Sequence, residues 1–294
     1  MSRITVQGSD IMITNPDKLL WHSIGVRKAD YIRALTDLAP YLIPHTAGKA
    51  LTAIRYPDGI GQSFFYQKRP PKNTPEWVDT VTVNGDTFIL LDSLKTLVWL
   101  GNLAAVEFHT PFCDAEDETL RALVFDLDPS EGQTFEAAAA CALDVHETLS
   151  GLGITAYAKT SGATGLQVYV PTKRMTFNEG RRLNAFFGKY FAAKHPDTVT
   201  IERSVKNRGG KLYFDYLQMA RGKSIISVYS PRAVPCGAVS MPVRWEELER
   251  GISPCDFTLM NAAARLKQTG DLFEPMLHEG SDIGALDDIL AHTV

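Results

Sequence analysis

Residues 123–129 read LVFDLDP, a run of strand-forming apolar residues that ends in two aspartates. Residues two apart in a strand point to the same side, so the carboxylates of Asp126 and Asp128 are expected to project together. Neighbouring anions raise each other's pKa, and a divalent cation with oxygen ligands removes that repulsion. A turn cap beside a solvated aspartate has the same pattern, so the pair alone does not establish a metal site.

A third aspartate lies in another apolar segment. Asp215 interrupts residues 211–218, KLYFDYLQ, which are predicted to form a strand. A charge in a core-like segment usually has a cationic partner, because an unpaired buried charge is unfavourable. Three carboxylates on two strands suit phosphoryl transfer with two bound Mg²⁺ or Mn²⁺ ions.

A glycine loop lies between Asp128 and Asp215 along the chain. Residues 159–170, KTSGATGLQVYV, are predicted as strand, loop and strand. The glycines would let backbone N–H groups approach an anion, with Ser161 and Thr164 as hydroxyl donors. The alternative is an ordinary hairpin turn, and the GxxxxGK[ST] pattern of a P-loop is absent.

The charge distribution fits an anionic partner, although the net charge is −4. Residues 202–232 hold seven basic and two acidic residues, whereas residues 246–294 hold ten acidic and three basic ones. A solvated charged surface would also explain this asymmetry. Arg208, Lys211 and Arg232 could neutralise a triphosphate. His109 is either a structural hydrogen-bonding group or a ligand contact.

Helices and strands alternate throughout, which indicates a layered α/β or α+β fold. After short strands within residues 1–14, the predicted strands are 51–56, 63–66, 80–83, 87–91, 123–127, 156–159, 166–170, 211–218 and 224–229. The predicted helices are 28–41, ended by Pro40 and Pro44, then 94–104, 135–149, 178–193, 245–249 and 258–269. The turn at 15–18 is expected to lead into a further short helix.

The composition is that of a folded protein, with 45% hydrophobic and 22% charged residues. Four cysteines without a CxxC pair predict neither a zinc site nor a disulfide framework. The N-terminus lacks an apolar signal core, and apolar runs of 18 residues are absent. The chain is therefore expected in the cytosol, without a membrane partner.

Taken in order, these motifs resemble the polymerase domain of bacterial non-homologous end-joining ligase D, of the archaeo-eukaryotic primase superfamily. The resemblance extends from Asn15 to about Leu248. It rests on the order and spacing of NPDKLLW (15–21), GVRKADY (25–31), FF (64–65), QK (67–68), EFH (107–109), DLDP (126–129), SG (161–162), Asp215 with Gln218, and SPR (230–232).

The resemblance implies a single α+β primase-polymerase domain over residues 1–294, two-lobed, with mixed or antiparallel sheets flanked by helices. Residues 1–110 would contact DNA, residues 111–250 would form the catalytic core, and residues 251–294 would be a helical tail.

The resemblance also implies roles for the candidate residues. The catalytic metal ligands would be Asp126, Asp128 and Asp215, with two Mn²⁺ or Mg²⁺ ions. The incoming NTP or dNTP would contact His109, Ser161, Gly162, Thr164, Gln167, Arg208, Lys211, Gln218 and Arg232. DNA would contact Asn15, Lys18, Lys28, Arg55, Phe64, Phe65 and Lys68, the first three at the 5′-phosphate of a gap.

Two local expectations concern the aromatic pair and the loop after it. Phe64 and Phe65 should point to opposite faces of a strand, one stacking on a template base and the other in the core. Residues 68–75, KRPPKNTP, should form an exposed basic loop because they are rich in proline.

The sequence departs from the family pattern in its loop, which usually reads SGxKGxH. Thr164 and Gln167 stand where the family has lysine and histidine, so nucleotide affinity or metal preference is expected to differ. The sequence also lacks a KxDG nucleotidyl-lysine motif. We therefore expect a stand-alone polymerase or an excised domain, with Ku and a separate ATP-dependent DNA ligase as partners.

The expected function is template-dependent gap filling and 3′-end extension at double-strand breaks in the nucleoid, with a preference for ribonucleotides. A catalytically quiet module that binds or bridges DNA ends is one alternative, suggested by the missing loop lysine. A DxD glycosyltransferase that uses a nucleotide sugar is another, but it has no obvious use for basic residues 203–211 or for the NPDK motif.

Overall fold

The computed structural model describes residues 2–278, 280 and 284–292. Its strands are β1 (Ser2–Val6), β2 (Ser9–Ile13), β3 (Leu19–Trp21), β4 (Val26–Arg27), β5 (Ala50–Arg55), β6 (Phe65–Gln67), β7 (Thr80–Val83), β8 (Asp86–Leu90), β9 (Ala105–Thr110), β10 (Leu120–Asp128), β11 (Tyr157–Thr160), β12 (Leu166–Met175), β13 (Val199–Thr200), β14 (Leu212–Phe214), β15 (Ile225–Ile226) and β16 (Pro242–Val243).

The α-helices are α1 (Lys28–Thr46), α2 (Leu94–Asn102), α3 (Phe135–Gly151), α4 (Phe177–Lys194), α5 (Trp245–Arg250), α6 (Ala262–Thr269) and α7 (Gly284–His292). Short 3-10 helices lie at Val205–Asn207, Pro254–Asp256 and Glu274–Leu277. Within the described residues, no helix has the length and apolar character that crossing a membrane requires.

The chain forms two compact units. The first comprises Met1–Asp117, Ser224–Met241 and Cys255–Asp271, and the second comprises Glu118–Lys223, Pro242–Pro254 and Leu272–Val294. Each unit combines helices with a sheet, which confirms the predicted α+β class. The predicted division into residues 1–110, 111–250 and 251–294 stays a prediction.

The second unit is built on a six-stranded sheet of order β13-β14-β10-β12-β11-β16. The pairs are antiparallel except for β13 with β14, which are parallel. Phe125 of β10 packs on Phe187 of α4, with ring centroids 5.1 Å apart. Since side chains alternate along a strand, Asp126 projects from the face opposite Phe125.

The first unit contains a sheet of order β15-β9-β5-β8-β7, with β6 paired to β5. Helix α1 lies against this sheet, and the buried Tyr31 hydroxyl donates a hydrogen bond to the Ala105 carbonyl of β9 over 2.6 Å. Leu35, Leu38 and Leu42 of α1 are also buried. The apolar face of this helix therefore faces a core, as the sequence pattern predicts.

The predicted end of α1 at the prolines is wrong, because the helix continues to Thr46 with Pro40 and Pro44 inside it. Both prolines are exposed, and so is Thr36, whose carbonyl would otherwise accept the N–H that Pro40 lacks. Burial of the opposite face of the helix outweighs the local penalty, as tertiary packing often does.

Several predicted element bounds are also wrong. The turn at 15–18 leads into strand β3 rather than a short helix, and the predicted helix 258–269 begins only at Ala262. The predicted strands 211–218 and 224–229 shrink to β14 and β15. After β14 the Asp215 carboxylate accepts a hydrogen bond from the Leu217 N–H over 3.0 Å, and this local turn ends the strand.

The prediction that the cysteines form no disulfide is wrong for one pair. Cys236 and Cys255 form a disulfide across 19 residues of sequence. The two segments meet because the Val239 N–H donates to the Phe257 carbonyl over 2.7 Å. This pairing is a tertiary contact, so cysteine spacing along the chain gave no sign of it.

Candidate functional site

The three candidate aspartates meet at one end of the second unit's sheet. Asp126 and Asp128 are on β10, and Asp215 directly follows β14. One carboxylate oxygen from each lies within 4.8 Å of the other two. The Asp215 N–H donates to the Asp126 carbonyl over 2.9 Å, which joins the two segments. The structure thus brings together the acids that were grouped from the sequence.

The electrostatics of this cluster favour a bound cation. Asp126 is 7% exposed. Burial, followed by the nearby charges of Asp128 and Asp215, raises the pKa of Asp126 to about 8. A divalent cation would relieve both causes, and carboxylate oxygens are the ligands that Mg²⁺ and Mn²⁺ prefer. The residues present therefore fit such an ion.

Asp215 is partly solvated rather than buried as expected. Its Oδ1 accepts hydrogen bonds from the Tyr213 hydroxyl and the Leu217 N–H, both over 3.0 Å. Burial and the Asp215 charge raise the pKa of Tyr213, so this hydroxyl remains a donor. Tyr213 was not recognised from the sequence, where it counted only as an apolar strand residue.

The basic residues before Asp215 are held beside this site. The Arg208 guanidinium stacks 3.8 Å from the Tyr213 ring centroid, and Tyr213 in turn donates to Asp215. The Arg208 Nε also donates to the Glu202 carbonyl over 3.1 Å. Lys211 Nζ donates to the Pro196 carbonyl over 2.6 Å. Arg208 is therefore linked to the cluster through Tyr213.

Gln218, another predicted nucleotide contact, lies on the turn that follows Asp215. Its backbone N–H donates to the Asp215 carbonyl over 3.2 Å, and its side chain is half-buried.

The glycine loop is organised by Ser161. Its hydroxyl oxygen accepts hydrogen bonds from the N–H groups of Ala163, over 3.2 Å, and Gly165, over 3.0 Å. Gly162 has a φ of +74°, a conformation that favours glycine. Thr164 is exposed at the tip of the loop. Two of the N–H groups expected to face an anion are thus bonded within the loop.

Gly165 is needed because the loop comes very close to β10. A Cβ atom there would lie 2.8 Å from the Leu127 carbonyl oxygen and 3.0 Å from Asp128 Oδ1. The sequence suggested that this glycine makes room for a ligand. The structure shows that it makes room for the strand that carries two of the acids.

We expect Gly165→Ala to displace Asp128, lowering stability by about 1–3 kcal/mol, as overpacking does, and weakening Mn²⁺ binding. Urea unfolding and calorimetric Mn²⁺ titration measure the two effects. Gly151→Ala is the matched control, because a Cβ there meets no atom of the described residues within 4 Å. Unchanged Mn²⁺ affinity in Gly165→Ala would show that Asp128 tolerates the shift.

Gln167 contacts the cluster directly. Its Nε2 donates to Asp126 Oδ1 over 3.0 Å, and its Oε1 accepts a hydrogen bond from Lys159 Nζ. Lys159 is fully buried and was not selected as a site residue from the sequence. Nothing in the sequence pointed to Lys159, because a lysine at the end of a predicted strand is usually exposed.

The remaining predicted nucleotide contacts, His109 and Arg232, lie in the first unit around Glu107. Glu107 Oε2 is 3.0 Å from His109 Nε2 and 3.2 Å from Arg232 Nη1, and Oε1 accepts from the Ala233 N–H over 3.0 Å. Burial raises the pKa of Glu107, but its hydrogen bond with His109 and the Arg232 charge outweigh burial and hold it below the ordinary value. The sequence gave Glu107 no role, yet it organises both neighbours.

A group of cations lies at the start of α1, also in the first unit. Lys28 Nζ donates to the carbonyls of Thr14, over 2.8 Å, and Asn102, over 2.9 Å. Burial, and then the charges of Lys18 and Arg55, lower the pKa of Lys28. The structure therefore gathers three of the predicted DNA contacts at one place.

The other two residues of the predicted phosphate pocket are accessible. Lys18 Nζ pairs with Asp58 over 2.8 Å. Asn15 is exposed, and its carbonyl accepts from the Lys18 N–H over 3.1 Å in the predicted turn.

The aromatic pair differs from its prediction. Phe64 is 53% exposed and Phe65 is 45% exposed, so neither belongs to the core. Strand alternation does not apply to the pair, because β6 begins only at Phe65. The Arg55 guanidinium lies 5.0 Å from the Phe65 ring centroid. Lys68 is exposed just after β6, in the predicted irregular segment.

A comparison with known protein families assigns the chain to one of them. Residues 27–273 match the family described as LigD, primase-polymerase domain, and the chain belongs to that family. The resemblance read from the sequence is confirmed.

Two curated relatives show how the chain compares with longer proteins. It is 35% identical over 262 residues to the bifunctional non-homologous end joining protein LigD of Bacillus subtilis (strain 168), which covers 88% of this chain and 43% of that protein. It is 28% identical over 275 residues to the multifunctional protein LigD of Mycolicibacterium smegmatis, covering 90% of this chain and 36% of that one. The chain therefore spans less than half the length of these relatives.

A solved structure gives the same assignment. The polymerase domain of Mycobacterium tuberculosis ligase D in complex with DNA superposes with a TM-score of 0.83 at 28% sequence identity. The match covers 92% of this chain and 99% of that one.

Proposed function

We propose that this chain is a template-dependent polymerase that fills gaps and extends 3′ ends during non-homologous end joining. The observation that carries the proposal is the cluster of Asp126, Asp128 and Asp215, whose oxygens lie within 4.8 Å of one another. Membership of the LigD primase-polymerase family supports it. So does the likeness to a polymerase domain whose structure contains DNA.

In the proposed reaction, the primer 3′-oxygen bonds to the α-phosphorus of an NTP or dNTP, pyrophosphate leaves, and the hydroxyl proton is released. The three aspartates would hold two Mn²⁺ or Mg²⁺ ions, which when bound supply Lewis-acid activation and neutralise phosphate charge. Arg208, stacked on Tyr213, would offer a fixed cation to the triphosphate, with Lys211 as a second charge.

The nucleotide contacts proposed on the glycine loop are Ser161, Gly162 and Thr164. Because the Ser161 hydroxyl oxygen already accepts two loop N–H groups, its remaining O–H donor would face a phosphate. Thr164 adds an exposed hydroxyl but no charge. Gln218 is proposed to assist from the neighbouring turn, and His109 and Arg232 retain their predicted nucleotide contacts as a proposal.

The first unit is proposed to hold the DNA. Lys18, Lys28 and Asn15 would bind the 5′-phosphate at the far side of a gap, because the charge of the buried Lys28 is screened little by water and Lys18 and Asn15 are accessible beside it. Phe64 and Phe65, both exposed, would stack on template bases, with Arg55 and Lys68 on the backbone. Ku and a separate ATP-dependent ligase are the proposed partners in end joining.

The proposal is tested by primer extension across a short 5′-phosphorylated gap. NTPs and dNTPs are compared with Mg²⁺ and with Mn²⁺. We expect templated addition with Mn²⁺ and faster addition of ribonucleotides. Failure to extend with either metal and either sugar would contradict the polymerase proposal.

A second candidate is a module that binds DNA ends without extending them. It is favoured by Thr164, an exposed, uncharged residue at the loop position where the family pattern has a lysine. Tight binding of 5′-phosphorylated ends together with no extension under all four conditions would support this candidate.

We expect Lys18→Ala to reduce the preference for a 5′-phosphate over a 5′-hydroxyl gap about ten-fold, because a hydrogen bond to a charged group contributes about 1.5–3 kcal/mol. Fluorescence anisotropy with the two gapped duplexes measures it. Lys49→Ala is the control, since Lys49 also lies in the first unit and pairs with an aspartate, Asp114, over 3.0 Å. Equal loss of affinity for both duplexes in Lys18→Ala would argue against a phosphate pocket.

A further inference from the structure

We infer that Gln167 and Lys159 are positioning residues, which hold the Asp126 carboxylate in its metal-binding orientation. The inference rests on the proposed metal-binding role of Asp126. It replaces the nucleotide contact that the family pattern suggested for Gln167.

The three residues form a row across three adjacent strands. Asp126 of β10 is directly opposite Gln167 of β12, and Gln167 is directly opposite Lys159 of β11. Directly paired residues project from the same face of a sheet. The row is joined by side-chain hydrogen bonds, from Lys159 Nζ to Gln167 Oε1 and from Gln167 Nε2 to Asp126 Oδ1.

The donor and acceptor groups of these side chains fix the orientation of the Gln167 amide. A lysine ammonium group only donates hydrogen bonds, so the side of the Gln167 amide that faces Lys159 must be its oxygen. The amide nitrogen then necessarily faces Asp126 and donates to the carboxylate. Without Lys159 the amide could rotate by half a turn and present its oxygen to Asp126, which would repel the carboxylate.

Burial argues against a direct contact between Gln167 and a nucleotide. Gln167 is 3% exposed and Lys159 is fully buried. The amide oxygen and one of the two amide N–H groups already bond within the row, so a phosphate could reach only the second N–H of a side chain that is buried. A carboxylate with one oxygen held by a donor is fixed in rotation, which leaves its other oxygen aimed at a cation.

The test is calorimetric Mn²⁺ titration of the nucleotide-free protein. Gln167→Leu and Lys159→Met are each expected to weaken Mn²⁺ binding about 10–100-fold, the usual effect of removing a partner of a metal ligand. Gln167→Asn, which is too short to reach both neighbours, is a second variant if the leucine form is poorly folded. Thr172→Val is the control, because it removes a different buried polar group, a hydroxyl, from β12.

Extension kinetics provide an independent readout. A positioning role predicts that the Gln167 and Lys159 variants need more Mn²⁺, while the KM for the nucleotide at saturating Mn²⁺ stays unchanged. Unchanged Mn²⁺ affinity with a raised nucleotide KM would overturn the inference and restore a nucleotide contact. Thermal unfolding monitored by circular dichroism confirms that each variant is folded.

The same titration separates this inference from the proposed function. If Asp126→Asn binds Mn²⁺ as tightly as the parent protein, the proposed metal site fails and the inference fails with it. If Asp126→Asn no longer binds Mn²⁺ but Gln167→Leu and Lys159→Met bind it with unchanged affinity, only the inference is wrong.

Discussion

Asp126→Asn is expected to reduce primer extension with Mn²⁺ at least a thousand-fold, while making the metal-free protein more stable at pH 8. Activity falls because the variant loses one of the three proposed metal ligands. Stability rises because the native carboxyl has its pKa raised from 3.8 to about 8 by burial and the other two aspartates. Its ionised form therefore opposes folding.

The pH dependence of that stability difference follows from linkage. Between pH 3.8 and about 8 the unfolded state has released the Asp126 proton and the folded state retains it. The native protein therefore loses stability as pH rises through this window. The variant has no carboxyl at this position and does not undergo this loss. We expect the variant to gain at least about 1.4 kcal/mol at pH 8, the free energy of one pKa unit, and no comparable gain at pH 4.

Thermal unfolding in EDTA at the two pH values measures the stability difference, and gap-filling assays measure activity. Asp197→Asn is the control, because it removes an exposed carboxylate from the same unit. A variant that stays active would show that Asp126 is dispensable. A variant less stable than the parent at pH 8 would show that the carboxylates do not strain the metal-free fold.

Glu107→Ala is expected to lower the free energy of unfolding by about 3 kcal/mol, because breaking a buried ion pair leaves its partners uncompensated. Those partners are Arg232, 3.2 Å away, His109, and the Ala233 N–H. Urea unfolding at pH 7 measures the loss. Glu76→Ala, which removes an exposed acid of the same unit, should change stability by less than about 0.5 kcal/mol.

The pH dependence of this second effect has the opposite sign. The pKa of Glu107 in the folded protein is lowered below 4.5, so its contribution is present above that value. The contribution is lost as pH falls through the lowered pKa, and the two proteins should converge in stability in acid. A difference that is constant down to pH 3 would mean that Glu107 stabilises by packing rather than by charge.

Much of the candidate site could be predicted from local sequence. Strand periodicity alone placed Asp126 and Asp128 on one side of β10, and the two glycines predicted a tight loop at 161–165. Asp215 was added to that pair because it interrupts another apolar segment. These predictions succeeded because each depends on spacing within a short segment.

Other parts of the site could not be predicted, because they depend on contacts between distant segments. Glu107, Tyr213 and Lys159 each read as ordinary strand residues. They acquire roles only through a neighbour on another segment or strand: Arg232 for Glu107, Arg208 for Tyr213, and Gln167 for Lys159.

Hydrophobic period and motif order are properties of the chain, so they were enough to predict a layered fold of alternating helices and strands, the family resemblance that implied the α+β class, and the three acidic ligand candidates. Tertiary packing set the Cys236–Cys255 disulfide, the continuation of α1 through two prolines, and the exposure of both Phe64 and Phe65. It also decided the row from Asp126 to Lys159, since strand register places residues 126, 159 and 167 side by side. The reason is that burial and cross-strand pairing are set by what packs against a residue, which its sequence neighbours do not encode.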